Sequence, residues 1–259
     1  MEGKVAIITG ASSGIGLATA NAFLSSGWRV LGVDLSAAPP SITENAAFKP
    51  KFYFLQTNIT QQDAPKTIVS ACQSAFGSRI DALINVAGIL DKNAGVDNLQ
   101  DEDWDRVIAV NLTAPIKLMR EVINVMKVQK SGCIVNVSSK AGMSGAVAGV
   151  AYTSSKHGLI GATKNTAWLY KEEGIRCNAI CPGAVATNIA SSVDFSKWDQ
   201  FATEKFKSVQ LTHWDPAAKS RDAIQDASQP ADVILFLASD AARGVNGAIV
   251  PVDNAWSVI

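Results

Sequence analysis

Tyr152 and Lys156 lie four residues apart in a segment typical of a helix, so their side chains share one helical face. A free phenol has a pKa of about 10, and a fixed ammonium beside it favours the phenolate. Ser139 ends the apolar, strand-like run 133–137, and its hydroxyl could hold the oxygen that reacts. These residues predict a proton-transfer site for an alcohol or a carbonyl, with Ser138 as the competing serine.

A glycine-rich turn near the amino end could bind the electron carrier that such a site needs. Gly10, Gly14 and Gly16 lie between the strand-like run 4–9 and a helix-like segment. Glycines there allow a tight turn and a close approach to a pyrophosphate, which would lie at the amino end of the helix. Asp34 ends the next apolar strand, at the distance expected of a carboxylate that binds a ribose.

The coarse pattern alternates short apolar strands with helices. Strands are predicted near 4–9, 29–34, 51–57, 80–85, 132–138, 175–181 and 247–252. Helices are predicted near 14–26, 61–76, 101–128, 151–172 and 229–239. This alternation predicts an α/β fold, with one doubly wound parallel sheet of about seven strands and helices on both faces.

Composition excludes several classes of partner. The 259 residues are 47% hydrophobic, and 23 basic side chains balance 23 acidic ones. The chain has no run of basic residues of the kind that would predict binding to nucleic acid or to an acidic membrane. No apolar run approaches the length of a membrane span. The four cysteines lie in apolar runs, so we interpret them as reduced core residues of a cytoplasmic protein and expect no metal site.

Several motifs together resemble the short-chain dehydrogenase/reductase family over nearly the whole chain. In family order they are Thr9-Gly10-x3-Gly14-x-Gly16, Asn85-Val86-Ala87-Gly88, Asn111, Ser139, Tyr152-x3-Lys156 and Pro182-Gly183-x-Val185-x-Thr187. The resemblance implies a single Rossmann-like domain over 1–259. It also implies an oxidoreductase that acts on small molecules.

The resemblance assigns catalytic roles to four residues. Tyr152 would be the general acid/base, and Lys156 would hold the nicotinamide ribose and lower the pKa of the phenol. Ser139 would bond to the substrate oxygen. Asn111 would hold a water that relays protons; the alternative is an asparagine that distorts its helix without a catalytic role.

Charge at the cofactor site favours NAD over NADP. The Asp34 carboxylate accepts hydrogen bonds from a ribose diol but repels a 2′-phosphate, and the next residues, Leu35 and Ser36, are not basic. Ser13 lies where NADP-preferring relatives often carry a basic residue. The implied cofactor-binding residues are Gly10, Ser13, Gly14, Ile15, Gly16, Asp34, Leu35, Asn58, Ile59, Asn85, Ala87, Gly88, Val110, Tyr152, Lys156, Pro182, Gly183, Val185 and Thr187.

The segment 187–228 is polar with spaced aromatic residues, and we interpret it as a substrate lid of two short amphipathic helices. Its aromatic residues are Phe195, Trp198, Phe201, Phe206 and Trp214, which favour an apolar substrate. The leading hypothesis is an NAD-dependent oxidoreductase that transfers hydride between nicotinamide and a secondary alcohol or ketone. The alternatives are a biosynthetic ketone reductase of secondary metabolism and a redox-silent dinucleotide sensor or scaffold. The resemblance also implies a homodimer or homotetramer.

The chain departs from the family pattern in three places. Val86 replaces a second asparagine, and Asn58 replaces an aspartate beside the adenine. Near the carboxyl end, Val252-Asp253-Asn254-Ala255 replaces the usual Val-Asp-Gly-Gly. The last change puts the local turn in doubt, and with it the subunit interface, but not the chemistry.

Overall fold

The computed structural model describes residues 3–213 and 224–258, without the side chains of residues 212 and 213. Within these residues, seven strands form one sheet: β1 (Val5–Thr9), β2 (Arg29–Asp34), β3 (Phe52–Gln56), β4 (Ala82–Asn85), β5 (Gly132–Val137), β6 (Ile175–Pro182) and β7 (Ile249–Val252). The strand order is β3-β2-β1-β4-β5-β6-β7, and every neighbouring pair is parallel. The predicted fold class is confirmed.

The α-helices of the described residues alternate with these strands. They are α1 (Gly14–Ser25), α2 (Pro40–Thr43), α3 (Ala64–Phe76), α4 (Asp101–Ile108), α5 (Ala114–Gln129), α6 (Val150–Tyr170), α7 (Gln200–His213) and α8 (Ser228–Ala238). Parallel strands need such crossovers, because consecutive strands must start from the same edge of the sheet.

Two cores cover the two faces of the sheet, and β1 shows why its residues are apolar throughout. Ala6 and Ile8 pack in one core with side chains of α1 and α8. Val5 and Ile7 pack in the other core with side chains of α3 and α5. Successive side chains of a strand point to opposite faces, so a strand with helices on both sides buries every residue.

The strand order reverses between β1 and β4, which lie side by side. Chain crossovers leave this point in opposite directions and open a crevice outside the carboxyl ends of the strands. Thr9 ends β1, Asn85 ends β4 and Val137 ends β5. The glycine-rich turn and Ser139 follow two of these strands directly, so the fold brings them to one edge of the sheet.

The region 101–128 was predicted as one helix, and this prediction is wrong in detail. A π-helical turn at Ala109–Thr113 separates α4 from α5, and Asn111 lies inside it. Pro115 follows in the first turn of α5. Proline has no N–H to donate and its ring displaces the preceding carbonyl, so a regular helix cannot run through this position. Single π turns occur often at functional sites.

The predicted lid, 187–228, lies only partly within the described residues. It begins with 3₁₀ turns at Asn188–Ser192 and Phe195–Lys197, followed by α7. Where two short helices were predicted for 187–228, the described residues form one α-helix and two 3₁₀ turns. Trp214 lies outside the described residues. Its two ends meet where Ala186 N–H donates to Gln225 O (2.9 Å) and Gln225 N–H donates to Ala184 O (2.8 Å).

The C-terminal turn keeps the backbone that glycines would favour, although this chain lacks them. Asn254 has φ 51° and Ala255 has φ 68°, both in the left-handed region. Asparagine tolerates this region, whereas alanine is strained there. The turn that the sequence put in doubt is therefore present, and the alanine strains it.

The four cysteines are free and buried, as predicted for core residues. Burial raises the pKa of Cys72 to about 12 and that of Cys133 to about 11, so both thiols stay protonated at neutral pH. Across residues 3–213 and 224–258, no helix is both long enough and apolar enough to span a membrane.

Candidate active site

The glycine-rich turn has no room for larger side chains. Gly10 has φ +72°, and a Cβ on it would lie 3.0 Å from the backbone of Ala87. A Cβ on Gly16 would lie 1.9 Å from the carbonyl oxygen of Gly10. The turn therefore requires glycine at both positions, and it presents bare backbone at the amino end of α1.

A large cavity of about 980 Å³ opens beside this turn. Thirteen of the predicted cofactor-binding residues line it: Gly10, Ser13, Gly14, Ile15, Gly16, Asp34, Leu35, Asn58, Ile59, Ala87, Gly88, Val110 and Thr187. No lysine or arginine is among its lining residues in the described part of the chain. The cavity thus carries a single formal charge, the Asp34 carboxylate, and it is negative.

Asp34 is held in place by backbone groups. Its Oδ2 accepts from Ser12 N–H and its Oδ1 from Ser36 N–H, both at 2.9 Å. Leu35 beside it is 68% exposed at the cavity wall, open to a ligand. Asn58 was expected to offer an acceptor oxygen to an adenine, but that oxygen already accepts from the N–H (3.0 Å) and the hydroxyl (2.8 Å) of Thr60.

A second, smaller cavity of about 350 Å³ adjoins the first and holds the predicted catalytic groups. Ile15, Gly88 and Thr187 line both cavities. The predicted residues that line the smaller one are Ile15, Gly88, Ser139, Tyr152, Lys156, Pro182, Gly183, Val185 and Thr187. Asn85 and Asn111 line neither cavity and are buried behind them, 3% and 1% exposed.

Tyr152 lies in the first turn of α6 and is 7% exposed. Burial raises the pKa of Tyr152 to about 12; a hydrogen bond with the Ser139 side chain opposes the rise, and the Asp91 carboxylate adds to it. The expected net lowering of this pKa is therefore wrong in direction, because burial and not Lys156 dominates it. Loss of solvation outweighs the local partners, and the phenol keeps its proton at neutral pH.

Lys156 is 3% exposed one turn further along α6. Its Nζ donates to Val137 O at 3.0 Å and lies 5.5 Å from the centroid of the Tyr152 ring. Burial lowers the pKa of Lys156 to about 8. A bare Gly88 faces the ammonium, since a Cβ there would lie 3.4 Å from Nζ.

The two competing serines have different environments. The Ser138 hydroxyl donates to Lys156 O at 3.0 Å, which ties the end of β5 to α6. Both serines line the smaller cavity, but it is Ser139 that hydrogen-bonds to the side chain of Tyr152, and its Oγ accepts from Ala141 N–H at 3.1 Å. The geometry thus favours Ser139 for contact with a ligand and a structural role for Ser138.

Asn111 bonds on both sides to the backbone of Ile89. Its Oδ1 accepts from Ile89 N–H and its Nδ2 donates to Ile89 O, both at 2.9 Å. Its Nδ2 also lies 3.3 Å from Ser155 Oγ on α6. The side chain therefore joins the π turn to the chain after β4 and to the catalytic helix, and it does distort its own helix.

Most of the smaller cavity is apolar, and much of its wall was not predicted. The lining residues outside the predicted site set are Val86, Leu90, Val137, Ser138, Lys140, Ala141, Val147, Ala148, Ala184, Ile189, Ile224 and Trp256. Val147 and Ala148 lie between Ser139 and Tyr152, so their position in the chain was a usable signal. Trp256 had none, because only the return of the chain through β7 brings it to the site.

Within the described part of the lid, the aromatic residues that the sequence placed over the substrate do not line this cavity: Phe195, Trp198, Phe201 and Phe206. Phe195 is 54% exposed and Phe201 is 72% exposed. The Phe195 and Trp198 rings pack on each other instead, with centroids 4.7 Å apart. Among the described lid residues, Thr187, Ile189 and Ile224 line the cavity, because they lie at the two ends of the excursion that Ala186 and Gln225 join.

Comparison with known proteins identifies the family to which the chain belongs. The family model described as short chain dehydrogenase matches residues 4–197. A short chain dehydrogenase of Penicillium rubens is 56% identical over 260 residues, covering 100% of this chain and 99% of its own. Asnovolin H dehydrogenase of Aspergillus novofumigatus is 53% identical over 260 residues, covering 98% and 97%.

Solved structures agree with these relatives. Levodione reductase superposes with a TM-score of 0.85 at 29% identity, covering 100% of this chain and 99% of its own. ElxO with NADP bound superposes with a TM-score of 0.81 at 25% identity, covering 100% of both chains. The chain belongs to the short-chain dehydrogenase family. It is thereby an oxidoreductase of a family that binds a nicotinamide cofactor and acts on small molecules.

The residues that line the larger cavity fit such a cofactor. Gly10 and Gly16 leave no space for a side chain where a pyrophosphate would approach the backbone, and Asp34 presents a fixed carboxylate further along the wall.

Proposed function

We propose that the protein is an NAD-dependent dehydrogenase that oxidises a secondary alcohol on a bulky, largely apolar small molecule. The observation that carries the proposal is the meeting of Ser139, Tyr152 and Lys156 in an apolar cavity that opens into the glycine-walled one. Loss of a hydroxyl proton needs a base, and Tyr152 is the ionisable group of this cavity that hydrogen-bonds to Ser139.

The protein side of the reaction uses the four predicted residues. Ser139 and Tyr152 hold the substrate oxygen, and Tyr152 accepts its proton during oxidation or donates it during reduction. Lys156 binds the nicotinamide ribose, and Asn111 keeps α6 and the chain after β4 in register. When bound, the nicotinamide ring supplies the hydride acceptor or donor.

The preference for NAD rests on charge. An added 2′-phosphate would lie near the Asp34 carboxylate, with no lysine or arginine among the lining residues described to balance it. A nearby like charge that is only partly screened weakens binding. The related ElxO binds NADP, so the preference is a property we assign to this chain's own cavity.

The proposed size of the substrate rests on the wall of the smaller cavity, and the proposed direction of the reaction rests on a related protein. Leu90, Val147, Ala148 and Trp256 give the smaller cavity an apolar surface suited to rings. The Aspergillus novofumigatus relative is named as a dehydrogenase of asnovolin H. We therefore favour oxidation of a natural product in a biosynthetic pathway, and keep ketone reduction as the second candidate.

We also propose one domain with a lid at 187–228, assembled as a homodimer or homotetramer. On α5 and α6, Ile116 is 42% exposed, Trp168 69% and Leu169 58%. Large apolar side chains on long helices are suited to burial between subunits. Light scattering at micromolar concentration tests the assembly, and a monomer would contradict it.

A spectrophotometric panel tests the function. The purified protein is offered NAD or NADP with secondary alcohols on one to four fused rings, and NADH or NADPH formation is followed. We expect the highest kcat/KM with NAD and the larger ring systems. Tight NAD binding without turnover anywhere on the panel, or on the matching ketones with NADH, would support a redox-silent sensor instead.

A further inference from the structure

A short stretch outside the predicted site, residues 91–94, touches both the catalytic helix and the lid. We call it the bridging segment. It follows the chain after β4, and three of its four residues are buried: Asp91 is 3% exposed, Asn93 5% and Ala94 8%. A buried carboxylate in a loop needs a reason, because burial of a charge is costly unless hydrogen bonds compensate it.

The Asp91 carboxylate holds the amino end of α6. Its Oδ2 accepts from Tyr152 N–H at 2.9 Å and its Oδ1 from Asn93 N–H at 3.0 Å. Val150 N–H donates to Ala94 O at 2.9 Å. The N-cap residue, Gly149, has no side chain to supply this cap, so a residue 61 positions away in sequence supplies it.

The fit at this cap is close. A Cβ on Gly149 would lie 2.5 Å from Asp91 Oδ2 and 2.7 Å from Ala94 N. The glycine therefore lets the bridging segment lie directly against the first turn of α6. That turn carries Tyr152, so a displacement of Asp91 displaces the backbone of the proposed acid/base.

The same segment bonds to the lid. Lys92 O accepts from Asp199 N–H at 2.9 Å, immediately before α7. Asp199 Oδ1 accepts from Ala202 N–H at 2.8 Å in the first turn of α7, and its Oδ2 accepts from Asn98 Nδ2 at 2.8 Å. Asp199 thus caps the lid helix while its own N–H is bound by the bridging segment.

We propose that Asp91 is a positioning residue for Tyr152, and that the bridging segment transmits the docking of α7 to the catalytic helix. The inference rests on the proposed function, because it takes Tyr152 as the acid/base. When α7 docks through Asp199, it fixes the backbone of Lys92, and the adjoining Asp91 then holds the Tyr152 amide. Substrate under the lid and the phenol are thereby aligned together.

The charges around Asp91 define a readout that a purely structural role would not move. Among the described residues, the charged groups around Tyr152 are Lys156 on its own helix, Asp91, and Lys140, which lines the same cavity and donates to Trp256 O at 3.1 Å. Asp103 on α4 lies near Asp91 and is paired with Lys92 (2.9 Å) and Arg106 (3.2 Å). The Asp91 charge raises the pKa of Tyr152, so its removal makes the phenolate available at lower pH.

The main test compares Asp91→Asn with Asp97→Asn, an exposed acid a few residues further along the same loop. Asparagine keeps the size of Asp91, but its NH₂ cannot accept a hydrogen bond. One of the two donors, Tyr152 N–H or Asn93 N–H, therefore loses its acceptor. We expect kcat for alcohol oxidation to fall about tenfold, as loss of alignment does, with substrate KM changed far less. The midpoint of the rise of kcat with pH should move to lower pH. Asp97→Asn should leave both at wild-type values.

A second pair of variants tests the link to the lid without touching Asp91. Asp199→Ala removes the cap of α7, and we expect a higher substrate KM together with a lower kcat. In the double variant with Asp91→Asn, the loss of kcat should be smaller than the product of the single losses, because both act through one segment. Multiplicative losses would overturn the proposed transmission.

Hydrogen exchange of the protein alone separates this inference from the proposed function. Amides 149–153 should exchange faster in Asp91→Asn than in wild type or Asp97→Asn. If wild type turns over no substrate, the function fails while the exchange result still supports the cap. If wild type is active but Asp91→Asn keeps its kcat, its pH midpoint and its exchange rates, the positioning role is overturned.

Discussion

The floor of the site and the lid over it are built by opposite means. Asn111, Tyr152 and Lys156 are each at most 7% exposed, and each bonds to a part of the chain that is distant in sequence. In the lid, Phe195 and Phe201 are more than half exposed, and most side-chain bonds join residues two or three positions apart. Local bonds allow most of the lid to change without disturbing the rest; the exception is Asp199, which bonds to the bridging segment and to Asn98. We conclude that the floor fixes the chemistry, and that the lid can vary with the substrate.

The largest effect is expected from the floor. Tyr152→Phe keeps the ring but removes the proton, and turnover should fall by about 10²–10⁴, the range of lost acid/base catalysis. Binding of NAD, measured by calorimetry, should stay near the wild-type value. Turnover close to wild type would show that the floor does not carry the chemistry.

Cofactor choice should change next most strongly. Asp34→Ala combined with Ser13→Arg removes a negative charge and adds a positive one at the wall of the larger cavity. We expect the ratio of kcat/KM for NADP over NAD to rise about a hundredfold or more, since two charge changes of about 1.4 kcal/mol each give that factor. Ser41→Arg, also on the wall of this cavity, serves as the control for added charge alone. A wild type that already prefers NADP would contradict the charge argument.

The pH dependence should differ between the two directions. Burial raises the pKa of Tyr152, so the phenol is protonated at neutral pH and the phenolate forms only as pH rises. Alcohol oxidation uses the phenolate and should speed up by about tenfold per pH unit below that pKa. Ketone reduction uses the phenol and should not gain from higher pH. Parallel profiles in both directions would show that another group titrates.

Within the substrate cavity, the wall should matter more than the exposed lid aromatics. Trp256→Ala removes a large apolar surface from the wall and should raise substrate KM about tenfold, the effect of losing about 1.4 kcal/mol of binding. The affinity for NAD should change little. Phe201→Ala is the matched control, because its ring is 72% exposed and lines neither cavity. A larger rise in substrate KM from Phe201→Ala than from Trp256→Ala would support the aromatic lid that the sequence predicted.

The smallest expected effect lies at the C-terminal turn. Ala255→Gly relieves a left-handed alanine, and it should stabilise the fold by about 0.5–1 kcal/mol after the flexibility of glycine is counted. The same change at Ala71, inside α3, should destabilise it by a similar amount. Thermal unfolding of the two variants measures the difference. Destabilisation by both changes would mean that the turn at Ala255 is not strained.

The sheet and the catalytic set could be predicted because both leave local marks in the sequence. Each strand is a short apolar run, and Tyr152 and Lys156 have a helical spacing that depends on no other part of the chain. The glycine turn is marked by positions that only glycine can occupy. These features gave the fold class, which the structure confirms, and a set of site residues that the fold brings to one crevice.

What the sequence missed depends on distant contacts. The π turn contains Asn111, which bonds to Ile89 in another part of the chain, although Pro115 was a local signal that the helix breaks there. The pKa of Tyr152 depends on how deeply it is buried, which spacing alone does not give. Trp256 reaches the substrate cavity only because β7 returns the chain to it. Phe201 has the pattern of a lid residue but faces solvent.

The contact of Thr187 with the glycine turn has a consequence for kinetics. Thr187 stands at the start of the lid, and a Cβ on Gly14 would lie 3.0 Å from its side chain. A dinucleotide in the glycine turn would therefore lie against the first residue of the lid, and we expect it to bind before the substrate. We expect sequential addition with the dinucleotide first, and product inhibition in which the reduced dinucleotide competes with the oxidised one and the ketone does not.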